Sequence, residues 1–195
     1  MLMDSEVIIR TATLDDAPAI CAIYAPYVEQ SAVTFELEPP SAEEIRARME
    51  RVLQAYPYLV AERNGFILGF CYASAFRPRI AYIHSVETSI YVDQHNKQSG
   101  VGRALYERLI AILKAQNVYN ANACIAYCDV ENEYLTHGSV HFHERMGFTT
   151  CARFNKCGYK FDQWFDMIWM ENIIAPHPDH PDDFIPFPLL EETFK

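Results

Sequence analysis

Apolar and polar positions change period several times along the chain, and each change marks an element. Residues 7–10 read as a short first strand. Ala17, Ile20, Cys21, Tyr24 and Tyr27 then recur three and four residues apart, the spacing of a helix that buries one face. Thr13 and Asp16 form a Thr-x-x-Asp box ahead of it, which satisfies unpaired N–H groups at a helix start. Ser41-Ala-Glu-Glu44 opens a second helix, with Ile45, Met49, Val52, Leu53 and Tyr56 along its apolar face.

Strand signals follow. Residues 58–62 and 66–75 flank Asn64-Gly65, a pair that accepts positive φ and predicts a tight hairpin. Beyond Pro78, residues 81–92 are rich in β-branched and aromatic side chains and read as one long strand. A polar loop over 93–102 leads into a helix with Val101, Leu105, Leu109 and Ile112 on one side. Residues 121–127 read as a strand, 140–146 as a short helix ending at Gly147, and 149–160 and 164–170 as closing strands. This order predicts a mixed α+β domain over residues 1–174, with adjacent hairpins instead of regular βαβ units. From Ala175 the character changes: five of the chain's 11 prolines fall between Pro176 and Pro188, so residues 175–195 read as an irregular tail laid on the domain or on a partner.

Composition narrows the function. The 195 residues are 50% hydrophobic and 22% charged, too apolar for a disordered chain. A net charge of −10 gives no electrostatic reason to approach nucleic acid or anionic lipid. No apolar run approaches the ~18 to 20 residues a membrane span needs, and the acidic start Met1-Leu-Met-Asp-Ser-Glu6 does not read as a signal peptide, so a cytoplasmic location is expected. The six cysteines lack a CxxC pair and are expected to be buried, reduced thiols. No metal site is expected, because Cys124 and Cys128, His141 and His143, and His177 and His180 lack the paired spacing of a structural zinc site.

The segment richest in chemistry is Lys97-Gln98-Ser99-Gly100-Val101-Gly102-Arg103, between a strand and a helix. A helix start offers free N–H groups and partial positive charge, and glycines admit a phosphate close to the backbone. The spacing alone leaves this reading level with an ordinary turn. The surrounding residues separate the two. A polar or basic residue followed by x-x-Gly-x-Gly after an apolar strand resembles the pyrophosphate loop of the GNAT acetyltransferase superfamily. Val33-Thr-Phe35, Tyr56-Pro-Tyr-Leu-Val-Ala-Glu62, Phe76-Arg-Pro-Arg79, Val86-Glu-Thr-Ser-Ile-Tyr-Val92 and Gly158-Tyr-Lys-Phe161 with Trp164 extend the likeness from Ile8 to Met170. They are similar to the phosphinothricin and methionine sulfoximine/sulfone N-acetyltransferases.

The resemblance implies a central twisted, mostly antiparallel sheet flanked by helices, acetyl-CoA as co-substrate, and a homodimer. It implies backbone pairing of the pantetheine arm with Ile90, Tyr91 and Val92. The pyrophosphate would lie on the N–H groups of Gln98, Ser99, Gly100, Val101, Gly102 and Arg103, with charge from Lys97 or Arg103. Glu87 would take the ammonium proton and His143 would protonate the departing thiolate. Arg77 and Arg79 sit in a loop and read equally as solvated cations or as a clamp for an acid group; the resemblance favours the clamp. Phe35 would wall the pocket. The family's Asn-x-x-Ser is altered here: position −3 from Ser139 is Thr136, and Asn132 lies earlier in a longer loop, a candidate for the same contact. The expected function is acetyl transfer to the amine of a small amino-acid-like molecule by direct attack in a ternary complex. Two alternatives are a CoA-binding sensor without turnover and an acetyltransferase acting on a peptide or protein amine.

Overall fold

The computed structural model describes residues 6–96 and 99–194. Strand β1 is Ile8–Thr11, and helices α1 (Ala17–Gln30) and α2 (Ala42–Leu53) follow it. The hairpin is β2 (Tyr58–Arg63) and β3 (Phe66–Ala75), with Asn64 and Gly65 both at positive φ as the turn requires. Next come β4 (Ser85–Val92), α3 (Val101–Ala115), β5 (Asn120–Tyr127), α4 (Gly138–Arg145), β6 (Thr149–Lys160) and β7 (Gln163–Ile173).

The strands form one sheet in the order β1-β2-β3-β4-β5-β7-β6. Every neighbouring pair is antiparallel except β4 and β5, which run parallel. That pairing carries only Ser85–Asn120, Val86–Ala121 and Glu87–Asn122, whereas β5 pairs with β7 along its whole length. Beyond Glu87, therefore, β4 leaves β5 and the middle of the sheet opens as a wedge.

Each face of the sheet carries its own core. On one, Leu105, Leu109 and Ile112 of α3 pack with Val86, Ala121 and Phe148. On the other, Ile20 of α1 and Met49 of α2 pack with Val60 and Phe70. The Ser41 side chain accepts from the Glu44 N–H at 3.2 Å and caps α2. The Thr13–Asp16 box forms as expected, but the helix it opens begins as a 3-10 turn over Leu14–Asp16: Asp16 accepts from the Thr13 N–H at 2.7 Å while two Arg10 nitrogens bind it at 2.8 Å.

Two expectations need correction. The strand predicted over 81–92 begins only at Ser85, and Ile80–Tyr82 is a 3-10 turn. Ile80 is 80% and Tyr82 40% exposed, so apolar side chains on a surface loop imitated a strand. The chain enters the strand where the His84 carbonyl accepts from the Tyr119 N–H. The cysteines are free, but among them only Cys71 is buried, and Cys124, Cys151 and Cys157 are exposed. The last two lie on β6, an edge strand with one side open to solvent.

Residues beyond β7 run back along the α2 and α3 ends. Phe187 is 2% exposed and its N–H donates to the Ala55 carbonyl at 2.9 Å. Gln116 Nε2 bridges the Ala55 and Ile185 carbonyls at 2.8 and 2.9 Å, tying α2, α3 and the tail together. These contacts lie at the C-terminal end of α3, away from its glycine-rich start. No helix among the described residues is long and apolar enough to cross a membrane.

Candidate active site

The wedge is the site. Its lining includes Thr88, Ser89, Ile90 and Tyr91 of β4, Ala123 and Cys124 of β5, and His143 of α4. Once β4 has separated from β5, the backbone edge facing the gap is free to pair with a ligand. At the far end of β4, α3 starts from Gly100, whose φ of +84° is the left-handed region glycine tolerates. Among the described residues no side chain caps this start, which leaves its first N–H groups available to a ligand. Gly102 is needed for packing: a Cβ there would stand 3.2 Å from the Phe142 ring. Arg103 is committed to Glu107 at 2.7 Å, and Lys97 and Gln98 lie outside the described residues.

Glu87 sits on the last paired rung, opposite Ser74 of β3 and Asn122 of β5. It is half-buried, and desolvation raises its pKa above the ordinary carboxylate value, while the Arg77 cation opposes the rise. Arg77 is fixed by its guanidinium lying 4.3 Å from the Phe76 ring centroid and 5.3 Å from that of Trp169. Arg79 is an exposed residue leading into the 3-10 turn. Cys124, whose exposure is to the wedge, lies in the same field: desolvation by the surrounding sheet, with Glu87 and Cys157 nearby, pushes its thiol up to about 11, so it stays protonated.

His143, expected from the resemblance to protonate the thiolate, lies on α4, where a histidine is commonly a surface residue. Instead it is 3% exposed, and burial lowers its pKa to about 4 against the opposing pull of the Ser139 carbonyl, leaving it neutral at pH 7. Its Nδ1 is 2.8 Å from the Ser139 carbonyl and its Nε2 is 2.9 Å from the Tyr106 hydroxyl. Tyr106 donates to Thr88 Oγ1 at 3.0 Å, which donates to the Asn122 carbonyl at 3.0 Å. This chain runs between two carbonyls that can only accept. Its four links need four protons, and Thr88, Tyr106 and a neutral imidazole supply three. One link is always unmade, so the proton order along the chain is free to shift. Tyr106 was read in the sequence only as part of a helix, and nothing in its local spacing reveals this partner.

The 31–40 loop packs against β6 and the loop after β5. Phe35 packs on Gly158, where a Cβ would come within 2.4 Å of its ring. Lys160, 5% exposed, donates to the Thr34 carbonyl at 2.9 Å. The Ala32 N–H donates to the Tyr134 carbonyl at 2.9 Å, joining this loop to the longer loop after β5. There Asn132 uses its Oδ1 locally, accepting from the Tyr134 and Leu135 N–H groups at 2.9 and 3.0 Å; Leu135 and Ser139 are the residues that reach the wedge. The Val92 carbonyl accepts from the Tyr27 hydroxyl at 2.6 Å, which leaves Ile90 and Tyr91 as the strand positions lining the gap. Among the described residues, no group of three or more His, Cys, Asp or Glu side chains is arranged to hold a metal.

Residues 9–169 match the profile of the family described as an acetyltransferase (GNAT) domain. The phosphinothricin N-acetyltransferase of Streptomyces viridochromogenes is 34% identical over 89% of this chain and 91% of its own. The L-methionine sulfoximine/L-methionine sulfone acetyltransferase of Pseudomonas aeruginosa is 30% identical over 89% of this chain and 98% of its own. A crystal structure of a phosphinothricin acetyltransferase from Sinorhizobium meliloti in complex with acetyl-CoA superposes with a TM-score of 0.77 at 31% identity, over 85% of this chain and 87% of that one. The chain belongs to the GNAT acetyltransferase family.

Proposed function

We propose that this enzyme transfers an acetyl group from acetyl-CoA to the primary amine of a small amino-acid-like molecule such as phosphinothricin, methionine sulfone or methionine sulfoximine. The observation that carries the reading is Glu87 on the last rung before β4 and β5 part. A half-buried carboxylate there faces the amine side, while the gap beyond it has the free strand edge that an extended pantetheine arm needs.

Acetyl-CoA supplies the activated acyl group, and the residues fit it. Ile90 and Tyr91 would pair with its arm, and the N–H groups from Ser99 to Arg103 would receive its pyrophosphate. Glu87 takes the proton of the ammonium group so that the nitrogen lone pair is free. Arg77, held beside Glu87, orients the acid group of the acceptor, and Arg79 extends that positive field. Phe35 excludes water from the reacting nitrogen. His143, Tyr106 and Thr88 hold the proton that leaves with the thiol, and the unmade link lets it move without opening the core. None of the described cysteines is placed as an activated nucleophile, which supports direct attack without an acyl-enzyme.

A cytoplasmic homodimer is part of the same proposal. Edge strand β6 exposes Phe154 and Tyr159, and β7 exposes Trp164 opposite Tyr159, all at 50 to 59%, an apolar surface suited to a second copy. Thiol release from acetyl-CoA, measured with phosphinothricin, methionine sulfone, methionine sulfoximine, ordinary amino acids, polyamines and short peptides, tests the activity. Turnover confined to the sulfone, sulfoximine and phosphinate compounds supports the reading. Turnover only with peptides, or silence with acetyl-CoA still bound, overturns it.

A further inference from the structure

A second cavity is larger than the wedge. About 290 Å³ lies between α2 and the sheet, on the face that carries Glu87. Its floor is aromatic: Tyr58 stacks on Tyr72 with centroids 4.8 Å apart, and Phe70 stacks on Tyr91 at 5.4 Å. Ile45 and Val52 form the α2 wall. Such a surface takes a planar or branched apolar body.

Two polar features of the cavity are unused. Tyr58 is only 3% exposed, yet its hydroxyl has no hydrogen-bond partner among the described residues. Among the described residues the Tyr58 hydroxyl is not one of the buried unpaired atoms, so it opens into the cavity and can donate to a group that enters. Arg51, at the rim, has no carboxylate within ion-pair distance among the described residues. The other charges there cancel: Arg48 holds Glu36 through two bonds of 2.6 and 3.2 Å. One free hydroxyl donor and one free guanidinium together match an anionic oxygen acceptor.

The cavity is also in line with Glu87. Sheet register places Ser74 with Glu87, then Tyr72 with Ser89, then Phe70 with Tyr91 in successive rows on one face. Rows on one face are about 7 Å apart, so the aromatic floor begins one row from Glu87 and ends two rows away, about 14 Å.

We propose that the tyrosine-lined cavity is the acceptor subsite for an extended amine whose distal carboxylate reaches Tyr58 and Arg51, with an aryl or branched apolar body over Tyr72. The inference rests on Glu87 marking the amine position. It widens the substrate class to amino acids whose amine and acid group are about 7 to 14 Å apart.

The test uses 4-(aminomethyl)benzoate and its neutral carboxamide as paired acceptors, with phosphinothricin as the short one. Thiol release gives kcat and KM, and calorimetry gives Kd without acetyl-CoA. The expected result is a KM on the order of tenfold lower for the acid than for the carboxamide. Arg51→Ala removes that preference while leaving phosphinothricin turnover unchanged, and Tyr58→Phe, which keeps the ring, weakens benzoate binding several-fold. Equal KM values for acid and carboxamide, or a preference that survives Arg51→Ala, overturn the subsite. Turnover of phosphinothricin without binding of the benzoate overturns the subsite alone. Arg51-dependent binding of the benzoate with no amine acetylated supports the cavity and overturns the catalytic reading.

Discussion

The Tyr106 hydroxyl lies 2.9 Å from His143 Nε2, inside the core, with their rings nearly perpendicular at 84°. A tyrosine of α3 thereby couples the histidine of α4 to Thr88 on the strand that lines the wedge. Both nitrogens of the histidine are engaged, so in the proposed reaction its proton would pass through that phenol. Tyr106→Phe keeps the ring packing and removes the link. The expected loss in kcat is on the order of a hundredfold, with KM for acetyl-CoA within about twofold. His143→Ala should match it in kcat, and the double variant should lose little more, because both act on one chain. Steady-state kinetics of the two singles and the double decide this; additive losses would separate the residues.

Glu87 yields a prediction whose sign follows from its surroundings. Desolvation raises its carboxyl and Arg77 holds it down. The base must be ionised, so the acidic limb of kcat/KM lies above the ordinary carboxylate range, and Arg77→Met moves it further up. Glu87→Gln removes most turnover near neutral pH and less at high pH, where the amine is already neutral. A raised folded value also means that ionised Glu87 weakens the fold as pH rises past its unfolded value. The Gln variant should therefore melt no lower than the parent at pH 7. Loss that is equal at every pH, or a lower melting temperature, contradicts the assignment.

The parts of this site that were readable in the sequence are those with local chemistry. Asn64-Gly65 forms its turn from its own dihedral freedom, and Gly100 breaks into α3 for the same reason. Glu87 was findable because a carboxylate within an apolar strand is conspicuous. Tyr106, Asn122 and Lys160 were not, since each owes its role to a partner at least 34 residues away. The stretch 81–84 misled because hydrophobicity was taken as a strand signal, whereas the Tyr82 and Ile83 N–H groups turn back to the Arg79 and Ile80 carbonyls and close a 3-10 turn. The Tyr58 cavity likewise exists only once α2 is laid over β2 and β3.

Phe35 depends on the absence of a side chain opposite it. A Cβ on Gly158 would stand 2.4 Å from two ring atoms, closer than any real contact. Gly158→Ala should push the ring off its shelf and raise KM for the amine on the order of tenfold, leaving KM for acetyl-CoA unchanged. The combination of Gly158→Ala with Phe35→Leu should recover part of the loss. Failure of the smaller side chain to rescue would mean that Gly158 acts through the bulge of β6 instead. That bulge is independently held by Asp166, which accepts from Arg153 and, at 2.7 Å, from the Lys156 N–H.

The tail should separate stability from chemistry. Phe187 is fully buried against the domain, its N–H is paired with Ala55, and Gln116 holds the neighbouring Ile185. Phe187→Ala opens a cavity in that contact and should cost about 3 to 5 kcal/mol. For a chain of this size each kcal/mol lowers Tm by about 2 to 4 °C, so a fall of roughly 6 to 20 °C is expected. The tail grips the C-terminal end of α3, whereas the loop proposed to receive acetyl-CoA is at the N-terminal end of the same helix. At 20 °C, where the variant remains folded, kcat and both KM values should therefore stay within about twofold of the parent. Calorimetry with kinetics on one preparation resolves the two effects. A changed KM for acetyl-CoA with an unchanged Tm would mean that the tail instead acts on the site through α3.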